Sequence, residues 1–185
     1  MIGKKRLLIF AGVFLFVGLA SYARAQERAR AEIKNAEGKS VGTAGLRQTK
    51  GGVVIALRLT ALPPGLPAVH IHSAGKCEAP GFTSAGGHFN PLNMKHGLRN
   101  TDGPHAGDLP DLYVNTRWRR ALRSAGTEYF ARRGKAHTDG KAIVVHAASD
   151  DNITDPLGNS GDRIACGVIL LSVINGVING VINGS

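Results

Sequence analysis

Six of the chain's seven histidines fall into one ordered series. His70 and His72 stand two apart, His88, His96 and His105 follow, Asp108 comes three residues later, and His146 closes the set. Imidazole and carboxylate are the donors that hold copper and zinc in fixed geometry. Seven such groups suffice for two ions if one ligand is shared. His137 lies outside the series and reads as an ordinary polar residue.

Strand-like segments must carry these groups. Ala31-Glu32-Ile33-Lys34 alternates, Glu37-Gly38-Lys39 turns, and Val41 to Thr49 and Val53 to Thr60 read as further strands. Leu62-Pro63-Pro64-Gly65 interrupts the run. Val69 to His72 is a strand that places His70 and His72 on one face. Ala142 to Ala147, with His146, and Ile164 to Ser172 complete the apolar strands. Between them lie two long loops, 73–111 and 148–163. The first holds four of the candidate ligands, and a loop of that length in a compact domain is usually functional. Short strands, tight turns and long loops predict an all-β fold, an antiparallel β-sandwich or barrel.

Both ends look dispensable to that domain. Lys4, Lys5 and Arg6 precede an apolar run from Leu7 to Leu19, and Ala23-Arg24-Ala25 offers small residues for cleavage. This pattern predicts a signal peptide over 1–25. The protein is then expected to be exported, to the periplasm or beyond the cell, and membrane-associated if the signal stays on. No cysteine lies near the cut, which excludes lipidation there. Export lets Cys77 and Cys166 form a disulfide. The formal charge of +10 falls to about +6 once Lys4, Lys5, Arg6 and Arg24 are removed. The domain is expected over 26–172. Residues 173–185 form a low-complexity tail of Val-Ile-Asn-Gly repeats.

One segment departs from the strand pattern. Residues 116–137 carry six arginines and a lysine against Glu128. Trp118, Ala121, Leu122, Ala125 and Tyr129 recur at helical spacing, which predicts a basic helix. The stretch is either a genuine insertion that could face an anionic surface or a local slip of reading frame. No nucleic-acid partner is expected.

Val69-His70-Ile71-His72, Ser84-Ala85-Gly86-Gly87-His88-Phe89-Asn90-Pro91, His96-Gly97, His105-Ala106-Gly107-Asp108-Leu109-Pro110, Val144-Val145-His146 and Gly161-Asp162-Arg163-Ile164-Ala165-Cys166-Gly167 resemble the secreted bacterial branch of the Cu/Zn superoxide dismutase family, in order and in spacing. The resemblance runs from about Ala29 to Leu170 and implies that the all-β domain is a Greek-key antiparallel β-sandwich or barrel of immunoglobulin-like type. It implies copper on His70, His72, His88 and His146, and zinc on His88, His96, His105 and Asp108. It implies that His88 bridges the two and relays a proton. Asp150 would accept hydrogen bonds from His70 and His96, Arg163 would stand beside copper, and Cys77 would pair with Cys166. The implied activity is the conversion of superoxide to dioxygen and hydrogen peroxide, with a homodimer left open. The rival is a catalytically weak copper and zinc buffer or donor. The family's Gly-x-His-Gly-Phe is replaced here by Gly65-Leu66-Pro67-Ala68-Val69, which implies a looser barrel plug.

Overall fold

The computed structural model describes residues 28–49, 52–114, 121–125 and 140–172, the third of these only as backbone. The segment expected to be a signal peptide, most of the arginine-rich stretch and the repeat tail lie outside the described residues.

Three consecutive strands build one half of the core. In β1 (Arg28–Asn35) exposed and buried positions alternate, so Ala29, Ala31 and Ile33 point inward. β2 (Ser40–Thr49) contributes Val41, Ala44 and Leu46, and β3 (Gly52–Leu59) contributes Val53, Ile55, Leu57 and Leu59. Period-two alternation with one apolar face is what a half-buried antiparallel strand requires. The β1–β2 turn is closed by Gly38 at φ +74° and by the Lys39 amide donating to Asn35 Oδ1 at 2.9 Å.

The other strands read differently because both of their faces are covered. β4 (Val69–His72) and β6 (Ala142–His146) are buried at every position. Val69, Ile71, Ile143 and Val145 join the main core, opposite β1–β3. Ala142 and Val144 face the other way and pack with Phe82, Ala85 and Cys166 beneath the first long loop. His70, His72 and His146 share that second face by strand parity. The register sets His70 opposite Val144 and His72 opposite Ala142.

The strands form one antiparallel sheet in the order β4-β6-β7-β1-β2-β3-β5, with β7 at Arg163–Val168, β5 at Ala121–Ala125, and a short β8 (Leu170–Leu171) pairing with β1. The closing strand expected over Ile164–Ser172 is thus split, as Ile169 turns its amide to Lys141 O at 2.9 Å. β3 and β4 are consecutive yet lie far apart in this order, and the sheet curls so that they share one core. This is the expected Greek-key β-barrel. A single 3-10 turn, Thr83–Ala85, is the only helix among the described residues.

The basic-helix expectation fails where it can be checked. Ala121–Ala125 is strand β5, paired with β3 from Arg58↔Ala121 to Val54↔Ala125. The edge of β3 offers amides and carbonyls to an added strand, and that pairing outweighs the helical spacing.

The segment that lacks the family's histidine is held by its backbone. Gly65 and Val114 exchange two hydrogen bonds, Leu112 N donates to Pro67 O, and Ala68 bonds both Ala148 O and His146 N. Proline has no backbone N–H to donate, and Pro67 takes part here through its carbonyl.

Cys77 and Cys166 form a disulfide across a separation of 89 residues, with Cα atoms 5.6 Å apart. It ties the first loop to β7. Closing a loop of that length constrains the unfolded chain by roughly 4–5 kcal/mol in the chain-entropy account. Replacing both cysteines by serine should lower unfolding free energy by about 3–5 kcal/mol. Urea unfolding of variant and wild type, with and without reductant, checks this: reductant should weaken only the wild type.

Candidate metal centre

The first loop returns to β4 before leaving it again. Phe89 N donates to Ile71 O, Ile71 N to Gly107 O, and Gly107 N to Phe89 O, all at 2.8–2.9 Å. These bonds set His88 beside His72 and Asp108 beside His70. A side chain at Gly107 would collide with the Ile71 carbonyl, so the close approach requires glycine.

Hydrogen bonds then fix which nitrogen of each ring is available. His72 Nδ1 donates to Gly86 O at 2.8 Å and His146 Nδ1 to Gly161 O at 3.1 Å. His70 Nε2 donates to Asp150 Oδ2 at 2.8 Å. A carbonyl or carboxylate only accepts, so each of these nitrogens carries the proton and the other presents a lone pair. The remaining atoms, His70 Nδ1, His72 Nε2 and His146 Nε2, have no partner, and neither has His88 Nε2. All four residues are buried. One donor from each lies within 4.8 Å of the others. Four buried orphaned nitrogens facing one another would be costly without a cation between them.

The second group meets on one oxygen. Asp108 Oδ2 accepts the amides of Gly97 and His105, both at 2.9 Å. Its Oδ1 faces His88 Nδ1 at 3.0 Å, His96 Nδ1 at 3.1 Å and His105 Nδ1 at 3.4 Å. A tetrahedral ion bound at about 2.0 Å needs ligands roughly 3.3 Å apart, which this set provides. His88 belongs to both groups, through Nε2 in one and Nδ1 in the other.

One carboxylate spans the two groups from behind. Asp150 Oδ2 takes His70 Nε2, and its Oδ1 takes His96 Nε2 at 3.0 Å and the Asn152 amide at 2.6 Å. Gly158, at φ +62°, passes so close that a Cβ would strike the Asp150 carboxylate and the His96 ring. Asn152 donates its side-chain amide to Asp150 O at 2.9 Å, which ties it into the loop.

Arg163 lies opposite His146 in the β6–β7 ladder. Its guanidinium donates to Phe82 O at 2.7 Å and Gly86 O at 2.8 Å, not to Asp150 or Asp162. The Gly86 carbonyl therefore orients both Arg163 and His72. Two other cations brace the loops: Lys95 pairs with Asp155 at 3.2 Å, and Arg99 Nη2 donates to Asp151 O. Asp151 organises the second loop by accepting the amides of Ile153 and Thr154.

Burial dominates the electrostatics. It pushes His72 down to about 2, His70 and His146 down to about 4, and His105 down as well. Burial also opposes charge on His96, but hydrogen bonds to Asp108 and Asp150 prevail and raise it to about 9. Desolvation works against ionised Asp108 and Asp150, yet their histidine partners hold both carboxyls well below the usual range. The His96 amide lowers Asp155.

The structure thus brings together every ligand candidate named from the sequence, together with Asp150 and Arg163. Sequence reasoning missed Asp155, Gly158 and the carbonyls of Gly86 and Gly161. A carbonyl has no side-chain signature, and Gly158 differs from a turn glycine only in what lies beside it.

A model of the copper/zinc superoxide dismutase (SODC) family matches residues 40–169. The chain belongs to that family. It is 43% identical to superoxide dismutase [Cu-Zn] 1 of Aquifex aeolicus, over 82% of this chain and 93% of the relative. It is 39% identical to the superoxide dismutase-like protein YojM of Bacillus subtilis, over 75% of this chain and 74% of that one. A crystal structure of a SOD-like protein from Bacillus subtilis superposes with a TM-score of 0.70 at 38% identity, covering 76% of this chain and 97% of that one.

Two predictions follow from the geometry. Gly158→Ala should displace Asp150 and His96 together and weaken zinc retention by at least tenfold, measured by chelator competition. The second concerns the metal-free protein. His70, His72 and His146 resist protons that the unfolded chain takes up near 6.5, so their stabilisation is full above that value and lost as pH falls, toward 4 for His70 and His146 and toward 2 for His72. His96 acts in reverse: its contribution is full below 6.5 and lost as pH rises toward 9. Urea midpoints of metal-free protein should therefore peak near pH 6.5 and fall more steeply on the acid side. Midpoints that hold steady from pH 6.5 to 4 would contradict this.

Proposed function

We propose that this protein is an exported Cu/Zn superoxide dismutase that converts two superoxide ions and two protons to dioxygen and hydrogen peroxide. The observation that carries this reading is the shared His88, whose Nε2 lies among three other orphaned histidine nitrogens and whose Nδ1 belongs to the Asp108 group. Copper is assigned to His70, His72, His88 and His146, where an all-imidazole set suits both oxidation states. Zinc is assigned to His88, His96, His105 and Asp108. When bound, copper supplies the one-electron redox cycle and zinc a fixed, redox-silent charge.

The chain's own residues supply the rest. His88, held through Nδ1, can accept a proton at Nε2 and return it to the reduced substrate. Arg163 presents a rigid, planar cation next to the copper ligands and draws a small anion toward them. Asp150 keeps His70 and His96 in the tautomers that leave the ligand nitrogens bare. The basic start with its apolar run, followed by Ala23-Arg24-Ala25, supports a cleaved signal over 1–25. The Cys77–Cys166 disulfide supports an oxidising destination, periplasmic or extracellular. A plain metal buffer would have no use for Arg163 clamped by two carbonyls beside the copper group.

Superoxide decay followed by pulse radiolysis on copper- and zinc-loaded protein tests the reading. His146→Ala should abolish turnover. Arg163→Ala should keep its copper, lose on the order of tenfold in rate constant and show a flatter dependence on ionic strength. Metal-loaded wild type without turnover would select the buffer instead.

A further inference from the structure

The rings of the zinc group need partners for the nitrogens that face away from the metal. His96 gives Nε2 to Asp150, and His88 gives Nε2 to the copper group. His105 is left with Nε2 pointing to Asp155, whose Oδ1 lies 3.7 Å away. The same Oδ1 accepts the backbone amide of His96 at 2.7 Å. Asp155 Oδ2 meets Lys95 Nζ at 3.2 Å. Asp155 comes from the second long loop, whereas Lys95, His96 and His105 belong to the first. It also forms part of the wall of a cleft of about 430 Å³, shared with Asn90, Met94, Lys95 and His105, which leads from the surface to the zinc ligands. The His105 side chain is 6% exposed and that of Asp155 34%, so the carboxylate reaches solvent while the ring is nearly covered.

We infer that Asp155 is a positioning residue for zinc: one carboxylate oxygen orients His105 through Nε2 and fixes the backbone of His96, so that Asp155 does for the outer side of the zinc group what Asp150 does for its inner side. This rests on the assignment of zinc to His88, His96, His105 and Asp108. A carboxylate on the far nitrogen of a ligating histidine fixes the ring and raises its basicity, and its removal typically costs 10–100-fold in metal affinity. A 3.7 Å separation needs only a small ring tilt to become a hydrogen bond.

Zinc release from the fully loaded protein into excess chelator tests this. Asp155→Asn keeps the shape and removes the charge. It should speed zinc release by about 10–100-fold and leave copper content unchanged. Cobalt placed in the zinc site should show a shifted visible spectrum in Asp155→Asn. Lys95→Met removes only the exposed ion pair; it should release zinc within about twofold of wild type and keep the cobalt spectrum, since exposed pairs contribute little. Asp155→Glu, which restores the charge, should recover part of the retention and covers the case in which Asn disturbs the loop. If wild type holds zinc and Asp155→Asn releases it at the same rate, the role of Asp155 is overturned while the zinc assignment stands. Equal effects of Lys95→Met and Asp155→Asn would also overturn it, since the surface pair would then carry the effect. A wild type that retains no zinc overturns the metal assignment itself.

Discussion

The carboxylate of Asp150 is the interaction on which the metal centre depends. It is buried, carries charge, and reaches the rings of both ligand groups, His70 with one oxygen and His96 with the other. A buried carboxylate is tolerable only if paired and hydrogen-bonded. Here the pairing has a further consequence. Each ring gives Asp150 its far nitrogen and is thereby turned to offer the near one inward. Asp150 thereby ties the second loop to β4 through His70 and to the first loop through His96.

The sheet makes this possible by having two usable faces at one end. On β1–β3 one face meets the core and the other meets water. On β4 and β6 the outer face is roofed by the first loop, through Phe82, Ala85 and the Cys77–Cys166 disulfide. Strand parity then puts His70, His72 and His146 in a dry space between sheet and loop. Burial keeps these imidazoles neutral, and a neutral imidazole is the form that binds metal. The roof also delivers Arg163, because Phe82 and Gly86 turn their carbonyls toward its guanidinium. Arg163, the histidines proposed to hold copper and the disulfide thus hang on one short stretch of loop.

Much of this was legible in the chain because it rests on side-chain type and spacing. Histidines at i and i+2 on an apolar strand share a face whatever the tertiary fold. The order of the remaining ligands identified the family, and with it the barrel. What escaped depends on proximity rather than on residue type. Gly158 is indistinguishable from a turn glycine until Asp150 and His96 crowd against it. Asp155 reads as one of several loop acids until its oxygen is found on His96 and near His105. The strand at Ala121–Ala125 was misread because Leu122 and Ala125 fit a helical period, while its actual partner, the free edge of β3, lies more than sixty residues earlier.

The central claim is that a single imidazole, His88, is shared between two different metal ions. Anomalous diffraction from crystals of the copper- and zinc-loaded protein, measured at both absorption edges, tests this most directly. The account predicts a copper peak against His88 Nε2 within the His70, His72 and His146 group, and a zinc peak against His88 Nδ1 within the His96, His105 and Asp108 group. A single peak, or two peaks of which neither touches His88, would contradict it.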